Sequence, residues 1–495
     1  MPPKTGNDQN DQEELHALLA EVQALREGIE KKGAEMRREW GPVAEKTGPR
    51  SLNLSRYIAL RGHDLTDLQI RLAARGLSSL GRSESGVAET LDALIVTLRR
   101  LTGESNVPYP APANARAGAS ELEAEAERLF GERPKGAPRV RVMATLPPEA
   151  ATQPDLVDNL VAAGMDCARI NCAHDDAEAW DRMVANVRES AARLERPCKV
   201  LMDIAGPKCR IQRVKAPPKT RLTRGDRVVM VDDLKEKTKE PIAFSLNFPE
   251  LVDQLAVGAE VFIDDGKAAA RVVSRKGGRA EIEVYAAREK GVRLKPGKGV
   301  NFPSAELDLP PLTSKDFRDL DFIAGHADLV GFSFVQRIDD IELLQDHLVA
   351  RAPGREPHGI VLKIETPLAV KNLPRLILQS AAHNPTGVMI ARGDLAVELG
   401  FARLTEMQEE ILWLCEAAHT PVVWATQVLD NYVRDGVASR AEMTDAAMAQ
   451  GAECVMLNKG PYLADGVAFL RDVLSRMDRH FAKKFVRFGS LKSWS

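Results

Sequence analysis

From residue 138 onward, short apolar runs alternate with amphipathic helical patterns, and this alternation constrains the fold more than any other feature. The apolar runs are RVRVMAT, DCARI, CKVLMD, ADLVGFSF, GIVLKI, GVMIA, PVVWAT and CVMLN. Strands that alternate with helices pair in parallel, and eight such units most simply close into a (β/α)8 TIM barrel. An open doubly wound sheet is the competing α/β architecture. No G-x-G-x-x-G follows a strand, so the dinucleotide fingerprint of that architecture is missing.

The region before the barrel and one region inside it follow other patterns. Residues 209–300 contain strand-like runs separated by turn signals, and a loop of about 90 residues is rare in a compact domain. We therefore predict an inserted small β-barrel domain there, acting as a lid over the barrel mouth. The predicted domains are a disordered tail at 1–12, an N-terminal α-helical region at 13–135 with a Pro/Ala linker near 107–120, the barrel at 136–208 and 301–485, the lid at 209–300 and a tail at 486–495.

Composition narrows the function classes for this chain of 495 residues. Lys and Arg number 68 and Asp and Glu 71, a net charge of −3, which argues against a nucleic-acid partner. No apolar run reaches the ~18–20 residues of a membrane-spanning helix, so no membrane partner is expected. The six cysteines are scattered and form no C-x-x-C pair, which suits the reducing cytoplasm.

Polar side chains stand where the predicted strands end, and the carboxyl ends of barrel strands are where chemistry gathers. These residues are Arg169 and Asn171 (strand 2), Asp203 (strand 3), Lys363 and Glu365 (strand 5), Arg392, Gly393 and Asp394 (after strand 6) and Thr426 (strand 7). Glu365 and Asp394 could hold Mg²⁺ together with substrate oxygens. Arg169, Lys363 and Arg210 add positive charge, a mixture suited to phosphoryl transfer. No P-loop motif occurs, so side chains and metal would have to hold the phosphate.

Several motifs, in order from about residue 139 to 482, resemble those of the pyruvate kinase family. They are AGMDCARINCAH, LMDIAGPKCRI, VFIDDGKAAARVV, KGVNFP, LDLPPLTSKD, LKIET, ARGDLAVELG, VVWATQVLD and SRAEMTDAAMAQGAECVML. The resemblance implies a catalytic barrel with a mobile lid and the conversion of phosphoenolpyruvate and ADP to pyruvate and ATP. Pyruvate kinases usually carry a further C-terminal domain that binds an allosteric sugar phosphate, and we expect regulation at such a domain to be missing here.

The resemblance also implies roles for individual residues. Lys363 would stabilise the phosphoryl group in flight and the enolate oxygen, and Arg169 would grip the phosphoryl group. Glu365 and Asp394 would bind Mg²⁺, with Mn²⁺ as an alternative. Gly393, Asp394 and Thr426 would contact the substrate, with the Thr426 hydroxyl on the path of the proton that reaches the enolate. Asn171, Arg210 and Lys298 would reach the nucleotide.

The family's usual K⁺ site is altered. Asn171 and Asp203 remain, but Ala173 and Ile204 replace a Ser and a Thr that supply oxygen ligands. Lys208 stands where K⁺-dependent members have Glu, as in members that need no K⁺. An ammonium there can supply the missing positive charge, so we predict independence of K⁺.

Other departures keep a second hypothesis open. Pro147, Ala396 and the segment 458–461 replace family residues near the barrel rim, and the N-terminal helices have no counterpart in the common enzyme. A non-catalytic regulatory or binding protein derived from pyruvate kinase is therefore the alternative, and another barrel enzyme of phosphoenolpyruvate or pyruvate is a third idea. The N-terminal helices might pack on the barrel, bind a partner or form a homo-oligomer, which the barrel could also do.

Overall fold

The computed structural model describes residues 6–104, 106–111, 114–234, 240–303, 305, 307–483 and 485–486. The helices are α1 (Gly6–Trp40), α2 (Pro42–Lys46), α3 (Gly48–Arg61), α4 (Thr66–Ala74), α5 (Val87–Leu101), α6 (Asn114–Phe130), α7 (Pro154–Ala163), α8 (Ala177–Arg193), α9 (Leu251–Gln254), α10 (Ser314–His326), α11 (Ile338–Arg351), α12 (Pro367–Ala381), α13 (Arg392–Leu399), α14 (Phe401–Ala417), α15 (Asp430–Asp435), α16 (Arg440–Met448) and α17 (Leu463–Met477). The strands are β1 (Arg141–Thr145), β2 (Cys167–Asn171), β3 (Lys199–Asp203), β4 (Ile211–Lys215), β5 (Arg227–Val231), β6 (Ala243–Leu246), β7 (Glu260–Ile263), β8 (Ala268–Arg275), β9 (Arg279–Ala287), β10 (Val300–Asn301), β11 (Leu329–Phe332), β12 (Gly359–Ile364), β13 (Thr386–Ala391), β14 (Val422–Val428), β15 (Cys454–Leu457), β16 (Phe481–Ala482) and β17 (Phe485–Val486).

A closed barrel of parallel strands forms the centre of the described chain. Its strand order is β1-β15-β14-β13-β12-β11-β3-β2, with β1 paired to both β2 and β15. Strands β12 and β13 are buried at every position, because helices cover their outer faces and side chains fill the interior. The closed barrel confirms the predicted (β/α)8 fold and excludes the open doubly wound sheet.

The floor of the barrel is filled by the end of α6. Leu129 and Phe130 pack into the apolar cluster formed by inward-facing strand residues such as Met143, and Leu129 has 0% of its surface exposed. A side chain could not replace glycine on two adjacent strands, since a Cβ at Gly359 on β12 or Gly387 on β13 would lie 2.8 or 2.5 Å from a Leu129 methyl carbon. These glycines make room for Leu129.

The inserted segment folds as one sheet with its own core. The strand order is β10-β7-β8-β9-β5-β6-β4, so the first and last strands of the segment lie at the two edges. The edges meet near the barrel, where Arg210 bridges Gly299 and the Ile211 amide donates to the Lys298 carbonyl at 2.8 Å. The sheet thus closes on itself at its base, directly above the two connections to the barrel.

Both connections of the lid touch helix α13. Lys208, before β4, donates from Nζ to Asp394 Oδ1 at 2.5 Å. Asn301, at the end of β10, donates from Nδ2 to Glu398 Oε1 at 2.8 Å. Residues four apart lie on one face of a helix. One face of α13 therefore holds the chain where it leaves the barrel and where it returns.

The N-terminal helices pack against the barrel helices α12 and α14. Arg50 donates from Nη1 to Thr420 Oγ1, just after α14, at 3.3 Å, and the buried side chain of Asn53 donates to the Ala417 carbonyl at the end of α14 at 2.9 Å. Of the three possibilities given for the N-terminal helices, the structure shows the first, packing on the barrel of the same chain. None of the helices described is long and apolar enough to cross a membrane.

Two segments differ from the sequence prediction. Residues 6–12 were expected to be disordered but form the start of α1, where Asp11 pairs with Arg75 at 2.9 Å. Residues 114–120 of the expected linker belong to α6, because Gly118 lies so close to the Ser85 carbonyl that a Cβ would be 1.7 Å away. Residues 1–5 and 112–113 of these segments, and 487–495 of the expected C-terminal tail, lie outside the described residues.

Candidate active site

The alternation of side chains along the barrel strands carries polar groups to the mouth of the barrel. Residues two apart on a strand share a face. The interior apolar cluster includes Cys167, Leu201 and Val361. Two positions further along the same strands stand Arg169, Asp203 and Lys363, and Glu365 follows Lys363 by two more. The barrel core thus passes directly into a buried polar layer at the carboxyl ends of the strands.

Arg169, Asp203 and Lys363 form one buried network. Arg169 donates from Nε to Asp203 Oδ2 at 2.9 Å and from Nη1 to Thr145 Oγ1 at 3.0 Å. Lys363 Nζ lies 3.2 Å from Asp203 Oδ1 and 3.3 Å from Glu365 Oε1. The structure therefore brings together the predicted catalytic cations around two carboxylates.

Charge balance sets the protonation of this network. Burial acts to raise the pKa of Asp203, but the charges of Lys363 and Arg169 hold that pKa below its ordinary value. Burial acts to lower the pKa of Lys363, but the carboxylates of Asp203 and Glu365 raise it. Both groups are therefore charged at neutral pH. Asp203 is neutralised by fixed cations, which fits its position inside the barrel.

The two predicted metal ligands influence each other. Burial raises the pKa of Glu365, and the negative charge of Asp394 raises it further. Glu365 Oε2 accepts from the Phe334 amide at 2.7 Å. Asp394 forms its ion pair with Lys208. Lys208, predicted to compensate for K⁺ beside Asn171 and Asp203, thus makes its ion pair at Asp394.

Gly393 and Thr426 face each other beside this cluster. A Cβ on Gly393 would lie 3.0 Å from Thr426 Oγ1, so glycine avoids crowding the hydroxyl. Within the described part of the chain, the buried Thr426 hydroxyl has no hydrogen-bond partner. Arg392 donates to the carbonyl oxygens of Ala425 at 3.0 Å and Thr426 at 2.5 Å, which fixes the end of β14. A buried hydroxyl without a partner is costly, and its position beside Gly393 and Asp394 is what makes it a candidate ligand contact.

The predicted nucleotide-binding residues lie around the barrel mouth and in the lid. Asn171 Oδ1 accepts from the Ala173 amide at 3.1 Å. Arg210 donates to the Gly297 carbonyl at 2.8 Å, and Lys298 Nζ pairs with Asp264 Oδ1 at 2.8 Å. None of these contacts joins them to the Lys363 network.

His174 is close enough to Arg210 and Arg169 to sense their charges. Burial lowers the pKa of His174, and the positive charge of Lys459 lowers it further. The imidazole is thus neutral at pH 7. The charges of Arg210 and Arg169 also act to lower that pKa, and the charge of Asp175 acts to raise it.

The sequence analysis missed Ser333 and Phe334. Lys363 Nζ donates to Ser333 Oγ at 2.6 Å, and the Phe334 amide binds Glu365. Only the alternation of the strand could have pointed to Ser333, which carries no charge to mark it. Leu329 faces the interior cluster, and Ser333 follows it by four positions on the same alternating face.

Comparison with known proteins agrees with this geometry. The family model "Pyruvate kinase, barrel domain" matches residues 137–466. The pyruvate kinase of Thermococcus litoralis is 31% identical over 365 residues, which cover 72% of this chain and 73% of that protein. That of Geobacillus stearothermophilus is 32% identical, covering 69% of this chain and 57% of its own length. That of Agrobacterium vitis is 33% identical, covering 69% of each. These matches confirm the family and the enzyme class that the motifs predicted: the chain belongs to the pyruvate kinase family.

Proposed function

We propose that the protein transfers the phosphoryl group of phosphoenolpyruvate to ADP, giving pyruvate and ATP, with Mg²⁺ and without a need for K⁺. The observation that carries the proposal is the buried network of Arg169, Lys363, Asp203 and Glu365. A protein with no reaction to catalyse has little reason to bury four charges, because each is expensive to remove from water.

The side chains of this network have distinct tasks in the proposed reaction. Arg169, oriented by Asp203 and Thr145, would hold the transferred phosphoryl group through its guanidinium. The Lys363 ammonium would neutralise charge on the phosphoryl group and on the enolate oxygen that forms as the phosphoryl group leaves. Thr426, whose hydroxyl has no partner among the described residues, would orient the proton on its way to the enolate carbon. These tasks are positioning and charge neutralisation, which dominate phosphoryl transfer.

Glu365 and Asp394 suit a divalent cation. Burial raises the pKa of Glu365 and the charge of Asp394 raises it further, and a cation between the two carboxylates would relieve their repulsion. Among the described residues, no group of three or more His, Cys, Asp or Glu side chains is placed to hold a metal ion. Mg²⁺ commonly takes one or two carboxylates and completes its shell with water and phosphate oxygens. When bound, it would neutralise phosphate charge; Mn²⁺ accepts the same ligands.

Independence of K⁺ is supported by the charges already present. Arg169, Lys208 and Lys363 supply positive charge to Asp203, Glu365 and Asp394, so the cations and the carboxylates balance. Lys208 adds its charge at Asp394, one of the two carboxylates that would hold the metal.

We further infer that Asn171, Arg210 and Lys298 reach the nucleotide. We also infer that the protein is cytoplasmic, because all six of its cysteines are free and buried.

The test is pyruvate formation from phosphoenolpyruvate and ADP with Mg²⁺. Turnover is expected in the natural protein and is expected to fall at least about 1,000-fold in Lys363→Met, since charge stabilisation of this kind is worth about 100- to 1,000-fold per donor and Lys363 serves two sites of charge. Lys371→Met removes an exposed lysine from α12 and serves as the matched control, with unchanged turnover. No turnover from folded natural protein would favour the alternative, a non-catalytic binding protein.

A second experiment tests whether turnover requires K⁺. We expect equal turnover in K⁺ and in tetramethylammonium for the natural protein. Lys208→Glu should lower turnover in tetramethylammonium, with partial recovery in K⁺, because the substitution exchanges a fixed cation for a carboxylate. A requirement for K⁺ in the natural protein would contradict the role given to Lys208 and leave the phosphotransfer proposal intact.

A further inference from the structure

Ser333 lies directly beyond barrel strand β11, and only 2% of its surface is exposed. Its Oγ is 2.6 Å from Lys363 Nζ and 2.7 Å from the carbonyl oxygen of Ile204. We propose that Ser333 is a positioning residue, whose hydroxyl directs the Lys363 ammonium toward the phosphoryl group and the enolate. This inference rests on the phosphotransfer function proposed above and adds a residue to its machinery.

The direction of each hydrogen bond at Ser333 is fixed by its partners. An ammonium only donates, and a carbonyl only accepts. The Ser333 hydroxyl must therefore accept from Lys363. It donates its own proton to the Ile204 carbonyl at 2.7 Å, and Asp203 Oδ1, at 3.3 Å, is a second and more distant acceptor. With either acceptor, a lone pair on Oγ stays aimed at Lys363, and the shorter bond also satisfies a buried carbonyl.

The ammonium of Lys363 has three donors, and each has a neighbour. The neighbours are Ser333 Oγ at 2.6 Å, Asp203 Oδ1 at 3.2 Å and Glu365 Oε1 at 3.3 Å. Glu365 is the partner that Lys363 can give up, because the same carboxylate is proposed to bind Mg²⁺. Ser333 and Asp203 would then keep two donors in place while the third N–H turns to the substrate. Ser333 is the closest of the three partners and the only uncharged one.

The backbone at Ser333 and Phe334 also makes close contacts. A Cβ on Gly206, in the turn after β3, would lie 2.8 Å from the Ser333 carbonyl oxygen, so the two loops are in close contact. The next residue, Phe334, has a positive φ of 58° and points its amide at Glu365 Oε2, 2.7 Å away. Neighbouring residues of one turn thus hold the catalytic lysine, on β12, and a proposed metal ligand, Glu365, which directly follows that strand.

The experiment compares Ser333→Ala, Ser333→Cys and Ser333→Thr with the natural protein. The thiol of Cys fills the volume of the hydroxyl but is a weak acceptor, whereas Thr keeps the hydroxyl. We expect kcat to fall about 10- to 100-fold in the Ala and Cys variants, the loss typical of residues that orient a ligand from behind. The KM for phosphoenolpyruvate should stay within about threefold, and Thr should restore most of kcat. Ser190→Ala, on α8, is the control: it removes another buried serine hydroxyl, with no effect on kcat expected.

The outcomes separate the inference from the function on which it rests. No turnover in the natural protein would contradict the proposed function itself. Turnover in the natural protein with an unchanged kcat in folded Ser333→Cys would overturn the positioning role alone. A lower melting temperature with unchanged kcat would assign Ser333 a structural role and would also overturn it. If Ser333→Ala fails to fold, the Cys variant, which preserves packing, decides the question.

Discussion

At the scale of single residues, Glu398 shows how the lid connection responds to pH. Burial raises its pKa to about 7, and the nearby charge of Asp394 contributes, while the Asn301 amide and Lys208 act in the opposite direction. The folded protein therefore holds a proton on Glu398 more tightly than the unfolded chain does. Its free energy of unfolding should fall as the pH rises from about 4.5 to about 7.

Glu398→Gln should remove this part of the pH dependence. The amide cannot ionise, and its carbonyl oxygen can still accept from Asn301. We expect the melting temperature of the natural protein to fall more between pH 5 and pH 8 than that of the variant. Thermal unfolding monitored by circular dichroism at several pH values measures the difference. Glu406→Gln, an exposed position on α14, is the control. Parallel pH curves for the natural protein and Glu398→Gln would contradict the prediction.

Residues also show where sequence reasoning succeeds and where it fails. Arg169, Lys363 and Glu365 are found because alternation along a strand places charged residues directly after apolar ones, a purely local pattern. Ser333 obeys the same alternation, but an uncharged serine in an apolar run carries no visible signal. The contact between Asn301 and Glu398 joins residues 97 apart, and no local pattern can pair them.

At the scale of elements, helix α6 stabilises the barrel by filling its floor with Leu129 and Phe130. Leu129→Ala should lower the free energy of unfolding by about 2–5 kcal/mol, because the glycines around it cannot move in to fill the cavity. Denaturant unfolding measures the loss. Leu101→Ala, at the end of α5 with 47% exposure, should cost less than about 1 kcal/mol. Equal losses in the two variants would show that the floor of the barrel can collapse around the deletion.

Elements were easier to predict than their contacts. Amphipathic stripes indicate helices in the N-terminal region, since period and apolar face are properties of one segment. Which surface covers each stripe depends on residues distant in sequence. The extension of α6 back to Asn114 depends on Gly118 meeting the Ser85 carbonyl, so a run of Pro, Ala and Gly read by itself resembles a linker.

At the scale of the whole molecule, Asn53 ties the N-terminal helices to the barrel. Its Nδ2 donates to the carbonyls of Glu84 at 2.7 Å and Ala417 at 2.9 Å, and its Oδ1 accepts from the Val87 amide at 3.0 Å. One buried side chain thus bonds to α5, to the loop before it and to the end of α14.

Asn53→Ala should leave these backbone groups unpaired and destabilise the protein by about 3 kcal/mol, at about 1–3 kcal/mol per buried group with partial relaxation. Hydrogen exchange monitored by mass spectrometry should show faster exchange in α3, α5 and α14 together. Asn186→Ala, which removes one bond to the Ala150 carbonyl on another side of the barrel, is the control. A change confined to the N-terminal helices would show that the two parts unfold independently.

The packing at the floor of the barrel affects where a domain boundary can be drawn in this chain. The family model begins at residue 137, whereas Leu129 and Phe130 pack inside the barrel that it describes. A boundary drawn by sequence similarity therefore cuts through a packed interior. A fragment trimmed to 137–466 would expose an apolar opening at its base, and added α6 peptide should bind there. In this chain, the range matched by the family model and the range that packs together are different lengths of polypeptide.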